Sequence, residues 1–215
     1  MVFCVKAHTP TDLQSAIYDD LVWRRREMSP LITLIQSVGY VDQRAVVRAS
    51  VPLLYAHWEG FSKYSAQRYL EFVSFRRLKY KDLKPAFLLL ASVGTISEIA
   101  KSCPKEAVVL LELLRDREKA VNKASFRRKI NTSSNLRFET LVDILCACGL
   151  DPTSFKDDRS FINDELCDPR NEIAHGVGGA PPSDLIIKRR DRAFLLMAKL
   201  ETLFVNAAVN EDYRS

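Results

Sequence analysis

The chain predicts an all-α fold, and three observations carry that prediction. Turn residues are scarce: 7 glycines and 9 prolines in 215 residues make about 7% of the chain, against roughly 12% in an average protein. Apolar residues recur at spacings of three and four along most of the sequence, with no strand-like alternation. Helix start and stop signals divide these periodic stretches. Hydrophobic residues at 47% and charged residues at 27% suit a globular protein with a core, and exclude a disordered chain, a collagen-like repeat or a small stapled scaffold.

The first helix is announced by Thr9-Pro10-Thr11-Asp12, after which Leu13, Ile17, Leu21 and Met28 share one face. Ser29-Pro30 is expected to break or kink it, with a fresh segment from Leu31 to Val38 ending at Gly39. The longest segment runs from Asp42 to about Phe75, with a kink at Pro52 and a stripe of Leu54, Trp58, Phe61, Tyr69 and Phe72. Lys79 to Lys84 reads as a loop, and Pro85 suits the start of the next helix. Two helices follow near 85–100 and 104–119, the second opened by Ser102-Cys103-Pro104. Residues 121–135 are basic and polar, a connector. Leu136 to Cys148 is amphipathic and stops at Gly149. A segment from about Asp158 to His175 comes next, then the loop Gly176–Pro182. Ser183 is expected to cap a last helix to about Ala208, with Phe194, Met197, Leu200 and Phe204 buried. The whole reads as one domain, residues 1–215.

No unbroken apolar run exceeds six residues, as in Ala86–Ala91, where a bilayer helix needs about 20. No membrane partner is expected. Met1–Val5 lacks the basic and apolar regions of a secretory signal. Five cysteines without zinc-finger spacing suggest reduced, mostly buried thiols, a cytoplasmic location and no metal site. The net charge of +5 makes a polyanion partner plausible.

Chemistry concentrates in Asp168-Pro169-Arg170-Asn171-Glu172-Ile173-Ala174-His175-Gly176. Asp168 at N-cap, Pro169 at N1 and Gly176 just past the end predict a helix of barely two turns. An Arg beside free helix N–H groups suits an oxyanion or phosphate. A His at a helix C-terminus is stabilised in its charged form, which suits proton donation near neutral pH. Positions five apart on a helix differ by about 140° in angle and about 7.5 Å in rise. Arg170 and His175 of one chain therefore do not converge tightly. Two copies related by a twofold axis bring both pairs to one cleft, so a homodimer is expected.

Arg170-Asn171 followed by His175 resembles the R-x(4–6)-H signature of the HEPN superfamily (higher eukaryotes and prokaryotes nucleotide-binding domains). Leu54-Tyr55-Ala56-His57-Trp58-Glu59-Gly60-Phe61-Ser62-Lys63 is similar to the Y-A-H-W-E-G-F-x-K helix of its bacterial MAE-like branch. Thr132–Leu136 and Cys148–Asp151, in the same order, also resemble that branch. The resemblance covers about residues 40–205 and leaves 1–40 as an N-terminal helical extension.

The resemblance implies a HEPN-type helical bundle with additional helices, and a dimeric, metal-independent endoribonuclease without a cofactor. In such an enzyme the ribose 2′-OH attacks the adjacent phosphorus, leaving 2′,3′-cyclic phosphate and 5′-OH ends. Carried over, His175 moves protons, Arg170 holds the phosphate and its developing charge, and Asn171 orients the His or the phosphate. The resemblance also implies a toxin or effector of bacterial defence, with a neighbour-encoded antitoxin or a larger defence-system subunit as partner. Toxins of this superfamily controlled by adenylylation carry Tyr two residues past the His. Here that residue is Val177, so that mode of control is not expected.

Other residues are open to a structural or a functional reading. His57 and Glu59 either support the fold or line the cleft. Glu59 and Lys63 form an i,i+4 pair in the favoured orientation. Gly60 in mid-helix costs about 1 kcal/mol against Ala, and close approach of another helix, such as that of Arg170 and His175, would explain it. Basic clusters at Arg24–Arg26, Arg76-Arg77 with Lys79, Lys81 and Lys84, Arg127-Arg128-Lys129, and Lys188–Arg192 are each ordinary solvated faces. Together with a phosphate-type motif they suggest contact with an RNA backbone, with Arg76, Arg77, Arg127, Arg128 and Lys129 as candidates. The rival to a nuclease is a non-catalytic module that binds RNA or docks on a partner.

Overall fold

A computed structural model describes residues 6–99, 104–115, 117–121, 126, 130 and 135–215. Helix α1 spans Pro10–Ser37. Its start is a reciprocal cap: the Asp12 N–H donates to Thr9 Oγ1 at 3.1 Å and the Thr9 N–H donates to Asp12 Oδ2 at 2.9 Å. The expected break at Pro30 does not occur. Ile32 and Ile35 continue the buried face of Leu13, Ile17, Leu21 and Met28, and their burial outweighs the one ladder bond that proline removes. The Ser29 hydroxyl, next to the proline, donates to the Arg25 carbonyl at 2.9 Å.

Helix α2, Tyr40–Phe75, is the longest element at 36 residues and runs through Pro52. It packs against α1 on one side and against α7, Ser183–Val209, on another, while α1 and α7 also touch. This trio holds most of the core, including Leu54, Trp58, Phe61, Tyr69 and Phe72 from α2 and Phe194, Met197, Leu200 and Phe204 from α7. The segment before residue 40 is thus an integral wall of the core.

The remaining elements are α3 (Pro85–Ile99), α4 (Pro104–Arg115), α5 (Phe138–Ala147) and α6 (Asp168–Ala174). Short 3₁₀ turns lie at Tyr80–Asp82 and Thr153–Asp158, and a π-helical stretch at Phe161–Cys167. Helix α4 is shorter than the sequence suggests. The chain leaves it to pair with the segment after α2: the Tyr80 N–H donates to the Lys119 carbonyl and the Val121 N–H to the Leu78 carbonyl. Ser183 does not cap α7; Pro182 holds that position, and its carbonyl accepts the Leu185 N–H at 3.1 Å. Gly149 and Gly176, both in the left-handed region, terminate α5 and α6 as expected. After α6 the Val177 N–H donates to the Glu172 carbonyl at 2.9 Å and the Gly176 N–H to that of Ile173 at 3.1 Å.

Among the described residues the secondary structure is helical, with two isolated bridges, Lys79 with Ala120 and Leu83 with Arg214, and no strand. No described helix is long and apolar enough to cross a membrane.

Candidate functional site

Helix α6 is not a helix begun afresh at Asp168. Helical backbone runs without a break from Arg159 to Ala174. Cys167 and Asp168 both have right-handed helical torsions, and the Asp168 N–H donates to the Asn163 carbonyl, five residues back. The N-cap expected at Asp168 is therefore replaced by a π turn. A proline ring collides with the carbonyl four residues before it in an α-helix. The wider π turn carries the chain past that conflict at Pro169. The Asp168 N–H is engaged and Pro169 has none, so the expected row of open donors beside Arg170 is not there.

The Arg170 side chain is held in two ways. Its guanidinium lies over the Tyr55 ring, 4.6 Å from the centroid, and its Nη1 donates to Asn171 Oδ1 at 2.8 Å. A guanidinium over an aromatic face is held there by the ring's electron-rich surface. Asn171 thus orients the Arg in this structure rather than the His.

Tyr55 is itself anchored on α2. Its hydroxyl accepts the Leu136 N–H at 2.5 Å and bonds the Glu59 side chain. Burial, opposed by the Leu136 N–H and aided by the Glu59 charge, raises the Tyr55 hydroxyl well above the ordinary phenol value. Cys167 closes the base of the cluster, its thiol donating to the Leu136 carbonyl at 3.3 Å. Burial pushes that thiol up to about 12, with Arg137 and Arg170 opposing, so it stays protonated. Arg137 and Asp168 form an ion pair at the rim.

His175 closes α6, its N–H donating to the Asn171 carbonyl at 3.0 Å. The residue is exposed, and no residue of α6 is buried. The helix carries Arg170 and Asn171 half-buried and His175 exposed.

His57 and Glu59 part company. Residues two apart on a helix point about 200° away from each other, while i and i+4 share a face. Glu59 therefore stands with Tyr55 toward α6, whereas His57 is buried against α1. There its ring meets Trp23 edge-on at 5.8 Å and its Nε2 is 3.6 Å from Glu27 Oε2. Burial, then the Arg24 charge, lowers its pKa, with Glu27 and Asp20 opposing. The structure does not bring His57 to the α6 cluster.

Gly60 is also explained by α1 and not by α6. A Cβ there would stand 2.8 Å from Arg24 Nη1. Arg24 is buried, bonded through Nε to Asp20 Oδ2 at 2.6 Å and through Nη1 to the His57 carbonyl at 3.2 Å. The first basic cluster is in this respect a core ion pair.

The other cations are dispersed. Arg76 donates to the His8 carbonyl and lies over the Phe72 ring at 4.7 Å, while Arg77 is exposed in a left-handed conformation. Both are at the far end of α2, about 30 Å along its axis from Tyr55 at 1.5 Å per residue. Lys79 and Lys81 both pair with Glu118, at 2.8 and 2.7 Å. Arg189 and Arg192 face Glu165, each at 3.5 Å. Arg127, Arg128 and Lys129 lie outside the described residues. Among the described residues no group of three His, Cys, Asp or Glu side chains is placed to hold a metal ion.

In the sequence Tyr55 stands out only as part of the α2 motif. The i,i+4 spacing of Tyr55 and Glu59 was the available signal, since it sets the two on one face.

No curated protein and no solved structure matches the chain. The family model described as MAE_28990/-like HEPN matches residues 13–213, which takes in α1 as well as the motifs on α2 and α6. The chain accordingly belongs to the MAE_28990/-like HEPN family, a membership that points to an RNase-like or nucleotide-related function.

Proposed function

We propose that the protein is a metal-independent endoribonuclease that works as a homodimer, in a toxin or effector role in bacterial defence. The observation that carries the reading is the pairing on α6 of an Arg170 lying over the Tyr55 ring with an exposed His175. An open helix suits a macromolecular substrate better than a small one, which pockets enclose.

In this reading Arg170 receives the non-bridging oxygens of one phosphodiester, with the Asn171 amide NH₂ beside it. The 2′-oxygen of the adjoining ribose attacks phosphorus, the bond from phosphorus to the 5′-oxygen breaks, and a 2′,3′-cyclic phosphate remains. One proton leaves the 2′-OH and one reaches the departing 5′-oxygen. His175 serves these transfers, and Arg170 stabilises the charge that grows on the phosphoryl oxygens. Because the two side chains are five residues apart on one helix, a twofold-related copy supplies the second Arg–His pair to the same cleft.

The test is incubation of the parent, Arg170→Ala and His175→Ala with labelled RNA in EDTA. Cleavage by the parent alone, leaving cyclic phosphate ends, is expected, with each variant at least 100-fold slower, in line with the ~10²–10⁴-fold effect of a proton-transfer group. Equal cleavage by all three sinks the assignment. RNA binding without cleavage by a folded parent moves the reading to a non-catalytic module.

A further inference from the structure

A cavity lies N-terminal to Tyr55 along α2. Of about 490 Å³, it opens between the first turns of α2 and the chain leading into α7, lined by Tyr40, Gln43, Arg44 and Val47 on one wall and by residues 180–184 on the other. The second wall is the continuation of the chain from His175. At 100° per residue, Arg44, Arg48 and Tyr55 fall within about 40° of one another around α2, and Arg44 is about 16 Å from Tyr55 along the axis. Among the described residues, neither Arg44 nor Arg48 has an ion-pair partner. Most of the other described cations discussed above are bound to carboxylates, carbonyls or rings.

The chemistry of the cavity is that of a base site. Tyr40 is 73% exposed at its mouth and offers a ring face for stacking. Its polar groups are acceptors as well as the Arg44 donor: the Asp184 carboxylate, 3.6 Å from Lys188 Nζ, and the Gln43 amide oxygen. Gln43 is fixed by donating from Nε2 to the Ile35 carbonyl at 2.7 Å. Acceptors beside an aromatic face select bases that carry an exocyclic amino group. A carboxylate in the pocket disfavours a phosphate inside it, which places the phosphates at its rim on Arg44, an exposed lining residue, and beyond it on Arg48.

We propose that this cavity is a base-binding subsite for single-stranded RNA, with the strand running from Arg170 along Arg48 and Arg44 and an unpaired amino-bearing base entering beside Tyr40. The proposal rests on the ribonuclease reading for its substrate class, and its test reads binding so that the two can fail separately.

The measurement is fluorescence anisotropy of short 2′-O-methyl oligonucleotides, which lack the attacking hydroxyl and stay intact. The parent binds oligo(C) more tightly than oligo(U). Tyr40→Ala weakens oligo(C) binding about tenfold, in the range of one lost base stack, and removes the preference. Arg44→Ala with Arg48→Ala flattens the dependence of log K on log salt by about 1.4, at ~0.7 per single-strand phosphate. Unchanged thermal midpoints, as these side chains lie outside the core, show that the variants fold. Equal affinity of parent and Tyr40→Ala for both oligomers overturns the subsite and leaves the nuclease reading standing. Cytidine monophosphate bound as tightly as oligo(C) overturns it in favour of a mononucleotide site. No RNA binding by the parent overturns both proposals. Selective binding with no cleavage of ordinary RNA supports the subsite and sinks the nuclease alone.

Discussion

Two arginines meet α2 from opposite sides, and the comparison between them separates fold from site. Arg24 reaches α2 from α1 at the level of Gly60 and is enclosed, its guanidinium bonded to Asp20 and to the His57 carbonyl. Arg170 reaches α2 from α6 at the level of Tyr55 and is only half-buried, stacked on an aromatic face and steadied by its own neighbour Asn171. A buried, fully bonded charge fixes one arrangement of two helices and offers nothing to a ligand. In the proposed reading, a charge held over a ring while its helix stays open is preorganised for an anion. The two environments lie within two turns of each other on one helix, sorted by which face each side chain takes.

The comparison can be broken by removing either Arg. Arg24→Ala leaves Asp20 buried without its partner and is expected to cost about 3–5 kcal/mol in urea denaturation. Arg170→Ala, on a helix with no buried residue, is expected to cost less than about 1 kcal/mol while abolishing the proposed cleavage. Equal losses of stability would mean that both arginines hold the fold.

Gly60→Ala sharpens the α1 side. Helix propensity favours Ala by about 1 kcal/mol, but the new Cβ meets Arg24 and strains its bonds, at about 1–3 kcal/mol for overpacking. A net loss of stability is expected; a gain would show that Arg24 yields easily. Tyr55→Phe sharpens the other side. It keeps the ring under Arg170 but strands the buried Leu136 N–H, at about 1–3 kcal/mol, so stability falls while RNA affinity holds. Tyr55→Leu should lose both.

The smallest effect is a dependence on pH through His57. Its folded pKa lies below the unfolded value of about 6.5, so the unfolded chain takes up the proton first. This contribution is complete above pH 6.5 and is lost as pH falls from there through the lower folded pKa. Urea midpoints taken across that window should drop in the parent and drop less in His57→Gln. An identical slope in both would remove His57 from the account.

Much of the helical order could be read from the sequence because caps and period agree, as at Thr9–Asp12 and Gly176. Pro30 misleads because a local penalty of one bond loses to the burial of Ile32 and Ile35, which is visible only once α2 and α7 are in place. The family follows from two motifs in order, and the match over residues 13–213 extends it into α1. Within the motif on α2, sequence alone gives no means of dividing Tyr55 and Glu59 from His57 by partner, since both α1 and α6 are brought there by the fold. Arg24 was hidden in a run of three arginines that looks like surface. The π turn before Pro169 has that proline as its one mark, and Asp168-Pro169 reads equally well as a helix start.

That π turn has a consequence for how the site tolerates change. A π turn holds one residue more than the α-helical turn it replaces, so it works as a phase shifter between the buried stretch around Phe161 and the surface helix after it. Tightening that turn into ordinary α-helix with all of its residues kept would rotate everything downstream by about 100°. Arg170 would swing off Tyr55 and His175 would face elsewhere, with every site side chain still present. The chemistry on α6 is therefore indexed to its anchor by one extra residue held in a wide turn, and losing that residue together with the wide turn would keep the index where losing the turn alone would not.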